Sequence, residues 1–131
     1  DICGVMIQLP LPGDLKYRER EILDSISSNK DVDGLTSQSL GNLMVGSSCF
    51  VPCTPKGIIM LLKAYGVDIA GKNVCIINRS NIVGKPLFHL LLEKNATVTM
   101  CHSKTKDINE YTKNADIVIS AVGKPNFIND L

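Results

Sequence analysis

The sequence has almost no net charge to spend: 14 Lys and Arg stand against 13 Asp and Glu, a formal net charge of +1. That excludes a global field drawing the chain to nucleic acid or to an anionic membrane, and leaves a small anionic ligand held by local groups. No Cys-x-x-Cys pair occurs, and the 5 cysteines, Cys3, Cys49, Cys53, Cys75 and Cys101, are odd in number. This pattern fits reduced cytosolic thiols better than a disulfide frame, and it argues against a zinc site. No apolar run reaches the roughly 20 residues of a membrane span, and no signal peptide is visible. Also missing is the glycine fingerprint of dinucleotide sites, G-x-G-x-x-G, from the stretch where it would be sought, CIINRSNIVGKP, residues 75 to 86.

What is present suits one ordinary domain or parts of two, since 131 residues can bury a useful core. Asp1 opens directly on Ile-Cys-Gly-Val-Met-Ile, which reads as a strand in progress, and the chain closes at Leu131 with nothing predicted to cover the strand Asp116–Val122. A fragment with sequence missing at both ends is therefore expected. Val5-Met6-Ile7 is predicted as a buried parallel strand ended by Pro10, Pro12 and Gly13. A helix capped by Asp14 should follow, with Leu15, Ile22, Leu23 and Ile26 on one face. Residues 27 to 46 read as loop, a setting in which sites tend to lie. PCTPKG, residues 52 to 57, reads as a helix start, with Thr54 as cap and Pro55 at the first helical position. That helix should run to about Tyr65, bury Ile58, Ile59, Leu61 and Leu62 on several sides, and stop at Gly66.

From Gly71 apolar strands alternate with helical segments: Asn73–Ile77, Val83–Lys94, Thr97–Cys101, Ile108–Lys113 and Asp116–Val122. Alternation of this kind predicts a parallel, right-handed βαβαβ sheet covered on both faces, hence an α/β fold. Ligands in such sheets sit beyond the carboxyl ends of the strands, which places Asn78 to Gly84 where a dinucleotide is expected. The helix beginning near Gly84 should offer unpaired N–H groups and a positive dipole end to a pyrophosphate. An NAD site usually carries an acid about 20 residues on, bonded to the ribose hydroxyls. Here that place reads Met100-Cys101-His102-Ser103-Lys104, without an acid. Repulsion of a 2′-phosphate is thereby removed, and Arg79, Ser80 and Ser103 can bind it through charge-assisted hydrogen bonds, favouring NADP. The competing reading is a plain strand-to-helix turn with Arg79 and Lys104 as solvated charges, and with His102 a polar strand-end residue.

In the first half, Gln8 follows the apolar run and can either orient a substrate or a catalytic amine, or bond a neighbouring backbone. Asp31 and Asp33 of KDVDG lie two apart, so in an extended segment only one should reach a given pocket. Such a carboxylate can accept two parallel N–H bonds from an aminopyrimidine-like ring, although Asp before Gly is also a turn signal.

Taken in order, GVMIQLPLP, KDVDGLT, PCTPKGIIMLL, NRSNIVGKP, TVTMCHSKT and ADIVISAVGKP resemble the methylenetetrahydrofolate dehydrogenase/methenyltetrahydrofolate cyclohydrolase family over nearly the whole chain. The resemblance implies a two-lobed α/β protein: residues 1–53 from a folate-side lobe, 54–66 a connecting helix, and 67–131 a Rossmann-like NADP-binding lobe, with the site in the cleft between lobes. It implies two linked reactions: oxidation of methylenetetrahydrofolate to methenyltetrahydrofolate with NADP, then hydrolysis to formyltetrahydrofolate, serving one-carbon metabolism and purine biosynthesis. It further implies a cytoplasmic homodimer. Carried over by motif, Gln8 orients the catalytic lysine and the folate, with Ile7 and Leu9 on the same wall, and Asp33 holds the pterin. Asn78, Arg79, Ser80 and Ser103 bind NADP, and Pro125 lies beside it. No metal is implied.

Two departures from the family pattern stand out. Its loop usually begins with glycine where this chain has Asn78, a residue type that tolerates left-handed backbone angles. Its catalytic Tyr-x-x-x-Lys pattern lies upstream of the opening strand, and none of Tyr17, Tyr65 or Tyr111 has Lys four residues on. The family's closing glycine-rich segment is absent too, so the parent protein is expected to be the bifunctional enzyme and this chain alone to be inactive. Other readings are an NADP-dependent dehydrogenase of another small substrate, such as a shikimate dehydrogenase relative, a dehydrogenase without the cyclohydrolase step, or a non-catalytic nucleotide-binding module.

Overall fold

A computed structural model describes residues 1–128; positions 129–131, with the expected end of the second lobe at Leu131, lie outside the described residues. The chain divides into two compact units, Asp1–Cys53 and Thr54–Leu131. Among the described residues the parallel sheet, of three strands, lies wholly in the second unit.

In the second unit, β1 (Asn73–Ile77) is the central strand, paired in parallel with β2 (Thr97–Cys101) and β3 (Ile117–Ser120). A central strand of a covered sheet is buried on both faces, which is why Val74-Cys75-Ile76-Ile77 is uninterruptedly apolar. Alternate residues enter different cores. Val74 and Ile76 pack with Leu87 and Leu91 of α4 (Gly84–Glu93) and with Ile119, against Ile58, Ile59 and Leu62 of α3 (Cys53–Ala64). Cys75 and Ile77 pack on the other face with Cys101, Ala115, Phe127 and Ile108 of α5 (Ile108–Lys113). The Cys75 and Cys101 sulfurs lie 3.7 Å apart as free thiols, and burial, aided by the Cys101 contact, pushes the Cys75 thiol up to about 12. Asp116 fastens the start of β3 to β1: its carboxylate accepts the Asn73 N–H at 2.8 Å, and its own N–H donates to the Asn73 carbonyl at 2.8 Å.

The strand and helix positions expected for residues 73–122 agree with the structure to within a residue or two at each end. α3 differs in detail. It begins at Cys53, so Thr54 and Pro55 lie inside the first turn, and Met60 and Leu61 are exposed, so its apolar contact is one stripe of Ile58, Ile59 and Leu62. Its end is as expected: Gly66 has φ +67°, its N–H donates to the Lys63 carbonyl, and Val67 N–H donates to the Leu62 carbonyl. These two bonds, with glycine left-handed, are the Schellman arrangement that satisfies the last carbonyls.

The first unit departs further from expectation. Val5-Met6-Ile7 forms no ladder; Val5 makes a single parallel bridge with Asp31 and Met6 is exposed. A strand needs a neighbour along its length, and the segment at Asp31 turns away, Gly34 N–H donating back to the Asp31 carbonyl. The expected helix from Asp14 is instead a 3-10 segment, Gly13–Arg18, followed by α1 (Glu19–Asp24). Asp14 makes no capping bond, Leu15 N–H bonds the Pro12 carbonyl in the tighter pattern, and Leu15 is exposed while Leu23 is buried. Residues 27 to 46 contain a helix the sequence reading missed, α2 (Ser37–Met44), whose cap Thr36 accepts the Ser39 N–H at 3.1 Å.

Candidate functional site

Each strand of the sheet ends on the same side, and the loops leaving all three carboxyl ends enclose a cavity of about 480 Å³. Asn78, Arg79 and Ser80 come from the end of β1, His102 and Ser103 from the end of β2, and Val122, Lys124 and Phe127 from beyond β3. The volume lies within the range of small-molecule sites, and the position is where parallel sheets bind ligands. Among the described residues lining it there is no Asp or Glu. Arg79 and Lys124 are exposed, and neither forms an ion pair among the described residues. The His102 ring accepts the Lys104 N–H on Nδ1 at 3.1 Å, so a neutral ring carries its proton on Nε2. A cavity whose described lining carries no acid, two cations without an ion-pair partner among the described residues and two serine hydroxyls is chemically matched to phosphate.

Asn78 organises the loop in a way the sequence did not disclose. Its Oδ1 accepts the N–H of Ser80 at 2.8 Å and of Gly84 at 3.0 Å, while Nδ2 donates to the Ala121 carbonyl at 2.6 Å. It is not left-handed: the described non-glycine residues with positive φ are Asn95, Asp107 and Asn126. The loop therefore survives the replacement of glycine through side-chain bonding and not through backbone tolerance. Gly84 must be glycine for this, because an added Cβ would collide with the Asn78 backbone carbonyl, 2.6 Å from its carbon, and fall 2.7 Å from Asn78 Oδ1.

The expectation of free N–H groups at the start of α4 is corrected by the same network. Val83 N–H donates to Ser80 Oγ at 3.1 Å, Gly84 N–H to Asn78 Oδ1, and Lys85 N–H to the Ser80 carbonyl at 3.0 Å. Pro86 has no N–H to give. The dipole remains, but the first turn has spent its donors on the loop. Pro125 is exposed and not among the lining residues, whereas Lys124 and Phe127 of the same segment are. The sequence signal for Lys124 was present in the GKP that drew attention to Pro125.

In the first unit, the two acids of KDVDG differ in their surroundings, in a segment that turns at Val32-Asp33 and is not extended. Asp31 is 2% exposed; its carboxylate accepts Leu35 N–H at 3.2 Å, Thr36 N–H at 2.8 Å and the Ser39 hydroxyl at 2.7 Å. Burial pushes this carboxyl up, but the bonds from Thr36, Ser39 and Leu35 outweigh it and hold Asp31 below the usual carboxylate range. Asp33 is half-buried, and its carboxylate takes no hydrogen bond from the described residues. Gln8 is exposed, its Nε2 donating to the Leu9 carbonyl at 3.0 Å, the neighbouring-backbone option; Ile7 and Leu9 are half-buried.

Comparison with known proteins follows the same lines. Residues 52–130 match the family described as tetrahydrofolate dehydrogenase/cyclohydrolase, NAD(P)-binding domain. The chain belongs to the tetrahydrofolate dehydrogenase/cyclohydrolase family. It is 56% identical over 128 residues to the bifunctional protein FolD of Clostridium novyi, covering 98% of this chain and 45% of that protein. Among solved structures, the bifunctional FolD of Campylobacter jejuni superposes with a TM-score of 0.89 at 46% identity, covering 97% of this chain and 45% of that one. The Trypanosoma brucei enzyme, solved with NADP cofactor and inhibitor, gives a TM-score of 0.85 at 37% identity, covering 94% and 42%. This chain thus spans about half the length of these relatives, and among its described residues no helix is long and apolar enough to cross a membrane.

Proposed function

We propose that this chain is part of a bifunctional enzyme that oxidises methylenetetrahydrofolate to methenyltetrahydrofolate with NADP and hydrolyses the product to formyltetrahydrofolate. The observation carrying the nucleotide half is the cavity beyond the three strands, whose described lining has no acid and has Arg79, Ser80 and Ser103 on its wall. Asn78, Arg79, Ser80 and Ser103 hold NADP, Arg79 and the serines reading the 2′-phosphate. When bound, NADP supplies the hydride acceptor. On the folate side, Asp33 offers two acceptor oxygens free of partners among the described residues, which suits a bidentate bond to the aminopyrimidine edge of a pterin. Gln8 orients the folate and the catalytic amine, and Ile7 and Leu9 supply an apolar wall.

The parent protein works as a cytoplasmic homodimer in one-carbon metabolism and supplies purine biosynthesis. The 131-residue chain by itself does not turn over, because none of its tyrosines is followed by Lys at the fourth position. The test is an assay of methylenetetrahydrofolate oxidation with NADP⁺ and with NAD⁺, run on the intact protein and on the isolated chain. NADP⁺-dependent turnover by the intact protein alone is expected; turnover by the isolated chain would sink the inactivity claim, and equal use of NAD⁺ would sink the cofactor assignment.

A further inference from the structure

The bond accounting around α4 leaves an unusual division of labour. A dinucleotide loop ordinarily presents backbone N–H groups at the helix start to the pyrophosphate, with glycines permitting the close approach. Here the donors from Val83 to Lys85 are all taken from inside the loop, and Pro86 lacks one. Asn78 is the centre of that closure, since its single amide oxygen takes both the Ser80 and the Gly84 N–H groups. The other end of the same amide donates to the Ala121 carbonyl just beyond β3, another residue of the cavity wall. One side chain therefore fixes the loop to itself and to the neighbouring strand.

We propose that Asn78 is a positioning residue that closes the first turn of α4 to direct contact with the pyrophosphate and sets Arg79 in place for the 2′-phosphate. This rests on the reading of the cavity as the NADP site. Asn78 sets the place of Arg79, the next residue, by tying the loop to β3, and it withholds the Gly84 N–H that a bare loop would give to the ligand. The amide orientation follows from the network, because only the oxygen can accept two N–H bonds and only the nitrogen can donate to the Ala121 carbonyl.

The test combines amide hydrogen exchange with NADP⁺ affinity in the intact protein. In the wild type, Gly84 and Ser80 N–H groups should be protected before any cofactor is added and change by less than about 2-fold at saturating NADP⁺. In Asn78→Gly both should exchange at least about 10-fold faster without cofactor and become protected when NADP⁺ binds. The Arg79→Ala penalty on NADP⁺ affinity should shrink by about 3-fold or more in the Asn78→Gly background, because without the tie to β3 Arg79 is no longer held in place for the 2′-phosphate. Asn78→Asp keeps the acceptor oxygen and should preserve Gly84 protection while losing the Ala121 bond and weakening NADP⁺. Fast Gly84 exchange in the wild type, slowed by NADP⁺, overturns the closure; an unchanged Arg79→Ala penalty in both backgrounds overturns the placement of Arg79 by Asn78. If the wild type shows the protection but does not bind NADP⁺, the nucleotide reading fails together with the phosphate half of this inference, while the clamp stands.

Discussion

The loop at residues 30–36 and the loop at residues 78–84 have the same internal plan. In each, one polar side chain gathers the backbone N–H groups of the loop: Asp31 those of Leu35 and Thr36, Asn78 those of Ser80 and Gly84. In each, a glycine is packed against backbone or side chain so closely that a Cβ cannot fit: at Gly34 it would lie 2.8 Å from the Phe50 carbonyl carbon, at Gly84 2.7 Å from Asn78 Oδ1. And in each, a nearby charged residue, Asp33 or Arg79, has no charged partner among the described residues. The difference lies in what the organising residue costs. Asp31 is a charge taken out of water and must be fully bonded; Asn78 is neutral and partly exposed, so it can be exchanged with less damage to the fold.

The comparison can be broken first at the glycines. Gly34→Ala combines a φ of +66° with a backbone collision and should destabilise the protein by about 3 kcal/mol, read by urea denaturation. Gly84→Ala also meets backbone, the Asn78 carbonyl, but without positive φ it should cost less, about 2 kcal/mol, with the displaced Asn78 loop weakening NADP⁺ binding. If the two cost the same, backbone conformation is not what separates the loops.

Asp31→Asn should cost about 2 kcal/mol at neutral pH, because the amide nitrogen cannot accept the N–H and hydroxyl bonds the carboxylate takes. The sign of its pH dependence is fixed by the depressed folded value: the contribution is present above the unfolded pKa of about 4 and is lost as pH falls through the lower folded one. The variant should therefore show a shallower acid limb in a stability-against-pH profile. The limb should persist in part, since Asp24, pushed up by burial yet held lower by its bonds with Ser37, titrates in the same sense. A steeper limb in the variant would contradict the assignment. Smallest is Asp33→Asn, which should leave stability within about 0.5 kcal/mol while weakening folate binding; a loss as large as that of Asp31→Asn would show that Asp33 serves the fold.

Much of the second unit was legible because its signals are local and redundant. The apolar run of β1, the spacing of Leu87 and Leu91, and Gly66 at the end of α3 each point to the same structure. The first unit was less legible because its order comes from side chains bonding across gaps: Asp24 to Ser37, Arg20 to the Leu35 carbonyl, Asp31 to Ser39. Periodicity does not report such bonds, and α2 was hidden by Gly41 and by serines that look like loop. At the candidate site, the charged and hydroxyl residues were legible from position alone. The bonds of Asn78 were not, since the sequence shows a missing glycine and not the three partners its amide finds.

The most direct test of the central claim, that the cavity beyond the sheet is an NADP site read by Arg79, is the affinity of the intact protein for NADP⁺ and NAD⁺ before and after Arg79→Ala. Loss of a charge-assisted contact to the 2′-phosphate should weaken NADP⁺ by about 10- to 100-fold and NAD⁺ by less than about 3-fold. Equal losses for the two nucleotides would contradict it.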